Sequence, residues 1–501
     1  MRADTYLHAA PLVSQPQRIK LPFLTPRTPA SAEQHAVPAR AVECSATSRR
    51  AAEDLVEGQP TRVSLFDEAI AVVRRPGQST IAYVDRCPHR AAALSEGRLT
   101  ASGNLQCSYH GWTFDEGGSC VSIPQVRDGA GAGGRACATA LPCVDQQGII
   151  WVCSTPGASP PMDTIVGLPE LDREGWVSDD FVRDMPVDYT LLVENLVDPD
   201  HGLFAHQTPN FDSYAASSDH PMSVQSEPGR TSDKIVGRVD GVLKLTGKDE
   251  AAKSKALMGE KGSAQDIKST LEFEPPCMVR WSRFDQEGKT SFITAFYAIP
   301  LGIGRSRLLI RYARSIAPWF KAPRWLFSMF LNGFLDQDTY LVASQQATTV
   351  GAELAAAQRM GLSSGPSDAT AIGPAPDHSP PAGATGLQRR QLYCHRSPTD
   401  KLLLAVGQWL DDAVPHMPNR YRGLQGGHLA GAAAAALLLL PREVVLDRWE
   451  CHTAICPSSR RAHSVLSTVR NTSGIAAAVA AVAVLSQLAS GTQGLSSSTP
   501  W

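Results

Sequence analysis

The sequence predicts an α+β protein with a small all-β domain ahead of a larger domain in which strands and helices mix. Short apolar runs at residues 70–73, 81–84 and 148–152 lie between Gly, Pro and Asp, which is typical of short strands joined by turns. Further along, residues 307–312 have the composition of a strand, and residues 324–346 have the apolar repeat of one long helix. These patterns place an all-β unit before a mixed one.

The apparent domain boundaries follow shifts in composition. We place the all-β domain at residues 55–160 and the mixed domain at residues 165–412. Gly, Pro, Ala and Ser dominate residues 357–386, so we expect a disordered insertion there. A C-terminal linker is expected at residues 413–465. The Ala-rich run 474–489 is shorter than the ~20 residues of a spanning helix, so a membrane anchor and a packed amphipathic helix both stay open.

Composition excludes several classes of protein. The chain has 501 residues and a formal net charge of −2, which gives no electrostatic reason to expect nucleic acid binding. Its 11 cysteines are too few for a disulfide scaffold, so a reducing compartment is favoured. Residues 1–50 are rich in Arg, Ala, Ser, Thr and Pro and poor in acids, which is typical of an organellar transit peptide. A disordered terminus is the alternative.

The first chemical motif pairs Cys87 and His89 with Cys107 and His110. This arrangement puts one thiolate and one imidazole in each of two tight turns, so that two cysteines can bind one iron of a [2Fe–2S] cluster and two histidines the other. Structural zinc uses the same residue types, but zinc fingers order them Cys, Cys, His, His. The Gly-Trp that follows His110 is that of Rieske oxygenases.

The second motif is a histidine pair, His201 and His206, among several carboxylates. Two histidines and one carboxylate form the facial triad of non-haem Fe(II) oxygenases, which leaves positions open for O₂ and substrate. On a regular helix the two side chains lie roughly 140° apart. They converge on one ion only if the helix bulges or ends between them, and Gly202 favours such a break.

A third ligand is expected from the predicted helix at residues 324–346. One apolar stripe on this helix contains Phe327, Leu331, Phe334, Asp338, Leu341 and Gln345. Asp338 is therefore expected to face the core, which is unfavourable unless the acid is paired or binds metal. Asp336 lies on the opposite side and is expected to face solvent. A buried, ion-paired Asp338 is the alternative.

One short motif is a decoy. Residues 129–134 satisfy G-x-G-x-x-G, but no strand precedes them and no helix pattern follows, so we expect a loop. Without a nucleotide site, the chain is expected to receive electrons from a separate donor protein.

The two motifs and their flanks resemble a family. The stretch from Asp85 to Gly97 is similar to the plastid and cyanobacterial Rieske monooxygenases that act on chlorophyll derivatives, a family that includes pheophorbide a oxygenase, chlorophyllide a oxygenase and the Rieske protein of the chloroplast inner-envelope translocon. The run from Asn195 to His206 resembles their iron motif, and the Asp-Gln-Asp at residues 336–338 resembles their third-ligand helix.

The resemblance implies a role for each motif residue. Cys87, His89, Cys107 and His110 would bind the cluster, and His201, His206 and Asp338 the mononuclear iron. Asp198 matches the family's bridging acid, which relays electrons from the cluster of a neighbouring protomer to the iron; a helix-capping acid is the alternative. Such a relay implies a head-to-tail homotrimer, because a heterologous interface must close to be finite. The implied catalytic domain is a helix-grip fold.

The chain departs from the family at a C-x-x-C pair. Cys456 keeps the first cysteine, but Ser459 occupies the position of the second, and Cys451 is its only close neighbour in sequence. We therefore expect no thiol switch at this position.

The resemblance also implies an activity. We expect O₂-dependent mono-oxygenation of a chlorophyll-derived tetrapyrrole, with ferredoxin as the electron donor, in the chloroplast at the inner envelope or thylakoid membrane. Two alternatives stay open: a non-catalytic redox component of the envelope, and an oxygenase with a non-tetrapyrrole substrate.

Overall fold

The computed structural model describes residues 44–46, 55–126, 136–153, 156, 165, 167–206, 223–224, 229–230, 234–242, 266–284, 288–315, 318–320, 323–360, 388–417, 420–421 and 438–491. Val37–Trp501 forms one compact unit. The predicted loop at 129–134 and most of the predicted insertion at 357–386 lie outside the described residues.

The N-terminal domain consists of short antiparallel strands. They are β1 Cys44–Ala46, β2 Thr61–Leu65, β3 Glu68–Val73, β4 Ile81–Val84, β5 Arg98–Leu99, β6 Leu105–Gln106, β7 Thr113–Phe114, β8 Cys120–Ser122, β9 Ala140–Leu141, β10 Cys143–Gln146 and β11 Ile149–Cys153. They form sheets in the orders β2-β3-β4-β9, β5-β6-β7-β8 and β1-β11-β10. β1 lies inside the segment predicted as a transit peptide and pairs with β11, so the folded part starts by residue 44.

An antiparallel sheet of eight strands forms the centre of the second domain. Its strands are β12 Val177–Met185, β13 Ser223–Val224, β14 Gly229–Arg230, β15 Ile235–Val242, β16 Asp266–Glu274, β17 Met278–Phe284, β18 Thr290–Gly302 and β19 Arg305–Arg314. Their order is β12-β19-β18-β17-β16-β15-β13, with β14 also paired to β15. The predicted strand at 307–312 lies within β19. The sheet is antiparallel, as expected for the α+β class.

Helices surround this sheet. They are α1 Tyr189–Leu196, α2 His201–Phe204, α3 Arg324–Leu335, α4 Thr339–Ser344, α5 Gln346–Arg359, α6 Arg389–Leu392, α7 Asp400–Ala413, α8 Arg442–Val445 and α9 Pro457–Gly491, with a π-helical turn at Trp449–Thr453. α1 packs on β18 and β19, and α7 packs on β15. α1 therefore lies directly on the two longest strands, and the sheet covers one side of this buried helix.

The predicted single helix at 324–346 is wrong in one respect. The structure breaks it into α3 and α4 at Asp336–Asp338, and α5 continues to Arg359. The break rotates the predicted stripe, so Leu341 is 52% exposed instead of buried. Gln345 is exposed as well. Residues 357–359, predicted to begin a disordered insertion, are the last turn of α5.

The C-terminal region is more structured than a linker. α8 and the π-helical turn fall within the predicted linker at 413–465, and both Val445 and His452 are buried. The run 474–489 lies within α9. Among the described helices, none has both the length and the hydropathy required to cross a membrane.

The two domains meet at a hairpin turn. Between β2 and β3, the backbone N–H groups of Phe66 and Asp67 donate to the carbonyls of Pro300 and Leu301 at 3.0 and 2.8 Å. The Asp67 carboxylate also accepts a hydrogen bond from Arg305 at 2.6 Å. This turn of the first domain is therefore tied to the β18–β19 turn of the second by main-chain contacts.

Candidate metal centres

The first candidate centre is formed by two turns with the same hydrogen bonds. In one, Cys87 N–H donates to the Ala92 carbonyl at 2.8 Å and its carbonyl accepts from Ala91 N–H at 2.9 Å. In the other, Cys107 N–H donates to the Trp112 carbonyl at 2.8 Å and its carbonyl accepts from Gly111 N–H at 3.0 Å. Each turn closes through a left-handed residue, Ala91 at φ 57° and Gly111 at φ 76°. The backbone therefore presents both cysteines in the same way.

The cysteine and histidine side chains on these turns differ in burial. Cys87 and Cys107 are buried and adjacent, and burial raises the pKa of Cys87 to about 11. His89 and His110 lie nearer the surface, with ring centroids 4.5 Å apart, and His89 stacks on Trp112 at 4.7 Å. Two thiols on the inside and two imidazoles on the outside are the donor set of a Rieske cluster, in which each iron takes one pair.

A buried acid supports the first turn. Asp85 accepts hydrogen bonds from the backbone N–H and the hydroxyl of Ser95, both at 2.7 Å. These contacts join the two ends of the segment that contains Cys87 and His89. Asp85 and Ser95 were part of the family resemblance, but nothing in the sequence predicted their contact.

The second candidate centre gathers three of the predicted ligands. One ligand atom from each of His201, His206 and Asp338 lies within 4.8 Å of the other two. The Nε2 atoms of His201 and His206 are 3.8 and 3.5 Å from Asp338 Oδ2. Asp338 precedes α4 at the helix break and is 4% exposed. The structure thus brings Asp338 next to two histidines that lie more than a hundred positions earlier in the chain.

The two histidines converge because the helix between them ends. α2 ends at Phe204, so His206 lies beyond it. The predicted end of the helix between the two histidines is therefore confirmed, and Gly202, which we predicted to favour it, lies within α2 two residues before that end.

Main-chain carbonyls orient both imidazole rings. His201 Nδ1 bonds to the carbonyl of Asp198 at 2.5 Å, and His206 Nδ1 bonds to the carbonyl of Phe334 at 3.1 Å. Because a carbonyl only accepts, each Nδ1 carries the proton and each Nε2 is left with its lone pair. Phe334 also stacks on His206, with ring centroids 3.6 Å apart. Both free nitrogens therefore face Asp338, as metal ligands do.

The charges at this centre fit a cation. Asp338 Oδ1 is buried without a hydrogen-bond partner among the described residues, and burial raises the pKa of this carboxyl group. Burial also lowers the pKa of His206 to about 3. A buried oxygen without a donor is unfavourable unless a cation meets it. Two neutral imidazoles and one carboxylate are the ligand set of a non-haem Fe(II) centre.

Asp198 lies between α1 and α2, next to this centre. Its main-chain carbonyl accepts from His201, and its carboxylate accepts the backbone N–H of Asp200 at 2.9 Å. Burial raises the pKa of Asp198. Because Asp200 directly precedes α2, this hydrogen bond makes the orientation of the Asp198 carboxylate depend on the turn that carries His201.

Sequence reasoning missed several residues around the iron site. Asn195 Nδ2 is 3.4 Å from Asp338 Oδ2. Asp336, predicted to face solvent, instead pairs with the buried Arg183 at 2.6 Å and with Arg448 at 2.6 Å. The helix break turns Asp336 toward Arg183, and no short-range pattern indicates a partner about 150 residues away.

Behind α1 is a buried network of charges that was also not predicted. Arg420 donates to Asp188 and Glu353, and Arg389 lies 3.5 Å from both Glu353 and Glu194. Asp188 caps α1 through the Thr190 N–H at 3.0 Å. The network therefore joins α1, which leads into the iron site, to α5 and the segments around residues 389 and 420.

The position of the missing second cysteine is filled by a hydrogen-bonded serine. Ser459 lies 2.8 Å from His452 Nε2, and Cys456 and Cys451 are both buried and free. Burial would raise the pKa of Cys456, but hydrogen bonds from His452 and Ser459 lower it to about 7. The absence of a thiol switch stays a prediction.

Comparison with known proteins agrees with this geometry. The model of the Rieske [2Fe-2S] domain matches residues 47–144, and that of pheophorbide a oxygenase matches residues 273–353. The first region contains the two cysteine turns, and the second contains Asp338.

Two relatives and one structure illustrate the similarity. The chain is 30% identical to "Protein TIC 55, chloroplastic" of Pisum sativum, over 57% of this chain and 48% of that protein. It is 26% identical to pheophorbide a oxygenase of Oryza sativa subsp. japonica, over 83% of this chain and 72% of that protein. A crystal structure of dicamba monooxygenase bound to dicamba superposes with a TM-score of 0.53 at 17% identity, over 78% of this chain and 99% of the other.

In its two domain matches the chain is similar to the Rieske non-haem iron oxygenases, a class whose cofactors are a [2Fe–2S] cluster and a mononuclear iron, and it shares the fold of dicamba monooxygenase. Within that class, it is related to the chloroplast members that include pheophorbide a oxygenase and TIC 55. The matched part of the chain spans about half the length of the Pisum sativum relative.

Proposed function

We propose that this protein is a monooxygenase that uses O₂ and electrons from ferredoxin to oxygenate a chlorophyll-derived tetrapyrrole. The observation that carries the proposal is the convergence of His201, His206 and Asp338 in a chain that also contains a complete pair of cluster-binding turns. One motif supplies electrons and the other leaves coordination positions open for O₂. The relation to pheophorbide a oxygenase supports the substrate class.

In this proposal Cys87, His89, Cys107 and His110 hold the cluster. Burial of the two thiols favours them as inner ligands, and the two histidines lie near the surface, where a redox partner can approach. Tyr109 is exposed beside His110, with Arg90 over its ring at 5.9 Å. These side chains form the surface that a ferredoxin would approach.

His201, His206 and Asp338 hold the mononuclear iron, which supplies the redox chemistry that activates O₂ when it is bound. The chain's own residues arrange the site. The carbonyls of Asp198 and Phe334 keep each Nδ1 protonated and each Nε2 directed inward. Asn195 holds the Asp338 carboxylate from one side and leaves Oδ1 free. Burial excludes water from His206 and Asp338, and only the His201 side chain is partly exposed.

Asp198 is proposed as the electron relay between the two centres. Its carbonyl is hydrogen-bonded to His201, so a group that contacts its carboxylate is coupled to an iron ligand through one residue. The neighbour that supplies the cluster would be another protomer, which requires a head-to-tail homotrimer.

The location of the protein is proposed from its relatives and its N-terminal composition. The relatives are named as chloroplast proteins, which supports a chloroplast location. Residues before β1 would serve as a transit peptide, and the mature protein would associate with the inner envelope or the thylakoid membrane. Ferredoxin is a soluble donor available in that compartment.

Oxygen incorporation tests the reaction. The reconstituted protein, reduced ferredoxin and ¹⁸O₂ would be incubated with a panel of chlorophyll precursors and breakdown products, and products would be analysed by mass spectrometry. A product heavier by one ¹⁸O atom supports mono-oxygenation and names the substrate. Parallel incubations with ¹⁶O₂ in H₂¹⁸O detect exchange with water. No product from protein with both metal sites filled would reject a tetrapyrrole substrate.

A second candidate function is a redox component without oxygenation, which the similarity to TIC 55 favours. It predicts that ferredoxin reduces the cluster while no substrate accelerates O₂ consumption. An oxygenase with a non-tetrapyrrole substrate is separated from it by substrate-dependent O₂ uptake on a wider panel of aromatic compounds.

A further inference from the structure

Helix α3 carries apolar side chains on its outward face as well as on its inward face. Its inward face contains Ser328, Leu331, Asn332 and Leu335, which are buried. Its outward face contains Leu326, Met329 and Phe330, which are 49, 59 and 66% exposed. Met329 and Phe330 lie three and four positions after Leu326, so the three side chains share one side of the helix. A surface helix normally carries polar residues on that side.

The turn before α3 extends this apolar surface. Trp319 is 83% exposed and Phe320 is 57% exposed. The backbone carbonyl of Phe320 accepts a hydrogen bond from Arg314 at the end of β19, so the turn is fixed to the sheet. We call the five side chains Trp319, Phe320, Leu326, Met329 and Phe330 the α3 patch. Exposed apolar surface concentrated in this way marks an interaction site.

Helix α9 packs against α3 and has the same character. Val465, Leu466 and Val469 are more than half exposed on it. Arg460 and Arg461 are exposed near its start. Helix α9, which contacts α3, therefore carries both apolar and cationic side chains on its first turns.

The charges of the two elements have one sign. Residues 315–335 contain Lys321 and Arg324 but no Asp or Glu. Residues 451–501 contain Arg460, Arg461 and Arg470 and again no acid. The charged side chains within these two ranges are all cationic, which is complementary to an anionic, apolar partner.

We propose that the α3 patch and the start of α9 dock on an anionic lipid bilayer, with the apolar side chains in the headgroup region and the arginines at the lipid phosphates. Apolar area together with several cations is the combination that binds such surfaces, and Trp is favoured at that depth. A symmetric contact with a second copy would bring the arginines of both chains together, which is unfavourable, and a head-to-tail contact is tested separately below by the particle mass. The inference deepens the membrane location proposed above and rests on that part of the proposed function alone.

Vesicle sedimentation tests the apolar contribution. The full-length holoprotein would be mixed with vesicles of equal parts phosphatidylcholine and phosphatidylglycerol, or of phosphatidylcholine alone. Wild type is expected to sediment with the anionic vesicles, and Trp319→Ser/Phe330→Ser is expected to bind at least about tenfold more weakly. The matched control is Val56→Ser/Val121→Ser, which alters two exposed side chains of the first domain. Equal binding by both double variants would overturn the proposal.

A second pair of variants tests the charges. Arg460→Gln/Arg461→Gln is expected to lose about tenfold in affinity for the anionic vesicles, whereas Arg173→Gln/Arg359→Gln, with the same net charge and exposed sites elsewhere, is expected to bind as wild type does. Equal losses in both would show that net charge alone is responsible and would overturn the assigned surface.

Two further readouts complete the test. The absorption spectrum of the cluster reports whether each variant is folded. If Trp319→Ser/Phe330→Ser lowers the mass of the particle in vesicle-free solution, the patch is a contact between copies, and the lipid proposal is wrong. Oxygenation in detergent solution is measured in parallel: binding without turnover rejects only the reaction, and turnover without binding rejects only the docking surface.

Discussion

The cluster site and the iron site differ in what holds their ligands. The cluster ligands lie on two turns that backbone hydrogen bonds close within six residues each, at Cys87–Ala92 and Cys107–Trp112. The iron ligands lie on separate segments, at the start of α2, beyond its end, and at the break between α3 and α4. In the first site, short-range main-chain hydrogen bonds close each turn. In the second, contacts between distant segments bring the ligands together.

This difference predicts different responses to substitution. A local backbone turn persists when a ligand is changed, whereas an assembled site depends on each element that it joins. We therefore expect damage at the cluster to stay local, and damage around the iron site to spread from positions that touch no metal.

The largest effects are expected from substitutions that each remove one metal centre and leave the other in place. His201→Ala is expected to remove the mononuclear iron and turnover while it retains cluster iron and the cluster spectrum, because the cysteine turns do not involve α2. Cys107→Ser is expected to remove the cluster and turnover while it retains the mononuclear iron. Iron content and electron paramagnetic resonance measure both. His463→Ala is the matched control, since His463 is an exposed histidine on α9. Unchanged total iron in His201→Ala would exclude this residue as a ligand.

Loss of the relay is the next effect. Asp198→Asn keeps the size and hydrogen bonds of the side chain but removes its charge, so we expect both metals to stay and turnover to fall by roughly 100-fold or more. The rate of cluster oxidation in single-turnover experiments measures the step directly. Normal turnover would remove Asp198 from the electron path and would leave it as a helix-capping residue.

A smaller effect is expected at a residue that contacts no ligand. Arg183→Met leaves Asp336 without its buried partner beside the helix break, so the free energy of unfolding is expected to fall by about 3 kcal/mol and iron occupancy to fall while the cluster stays. Arg448→Gln removes the exposed partner of the same carboxylate and is expected to cost below about 1 kcal/mol. Denaturant unfolding with metal analysis distinguishes them. Similar losses from both variants would contradict the assembled character of the iron site.

The smallest effect concerns the two cysteine turns themselves. Gly111→Ala places a Cβ 2.9 Å from Pro124 Cγ at a left-handed φ, so we expect a loss of about 1–2 kcal/mol and faster release of the cluster. Ala91→Gly occupies the same position of the other turn and is expected to stay within about 1 kcal/mol of wild type, because relief at φ 57° offsets the entropy of Gly. Thermal unfolding monitored at the cluster absorption compares the two. If Ala91→Gly is the more damaging, the turns are not equivalent.

Local sequence patterns predicted the two tight turns that carry the proposed cluster ligands. Its residues, its two turns and the strands that flank them are encoded within short stretches, where Gly, Pro and alternating apolar residues report directly on the backbone. The histidine pair was predicted for the same reason, and the two side chains converge because α2 ends between them.

Patterns over longer distances failed where tertiary contacts decide. The apolar repeat continues through Asp336–Asp338, so periodicity predicted one helix across the break. The contacts that accompany the break, between Arg183 and Asp336 and between Asn195 and Asp338, join residues over 140 positions apart. Charged residues such as Arg420 were not expected in the core, because burial of an arginine depends on acids that no local pattern brings near.

The hairpin turn at Phe66 and Asp67 has a mechanical consequence. Both residues are left-handed, their N–H groups are paired to Pro300 and Leu301, and a side chain at Gly302 would collide with the Asp67 carboxylate. The turn therefore joins the two domains rigidly, and a rotation of the cluster-bearing domain would break its hydrogen bonds. Rotation between the domains would then not gate the electron transfer that we propose, and its rate is expected to be insensitive to solvent viscosity.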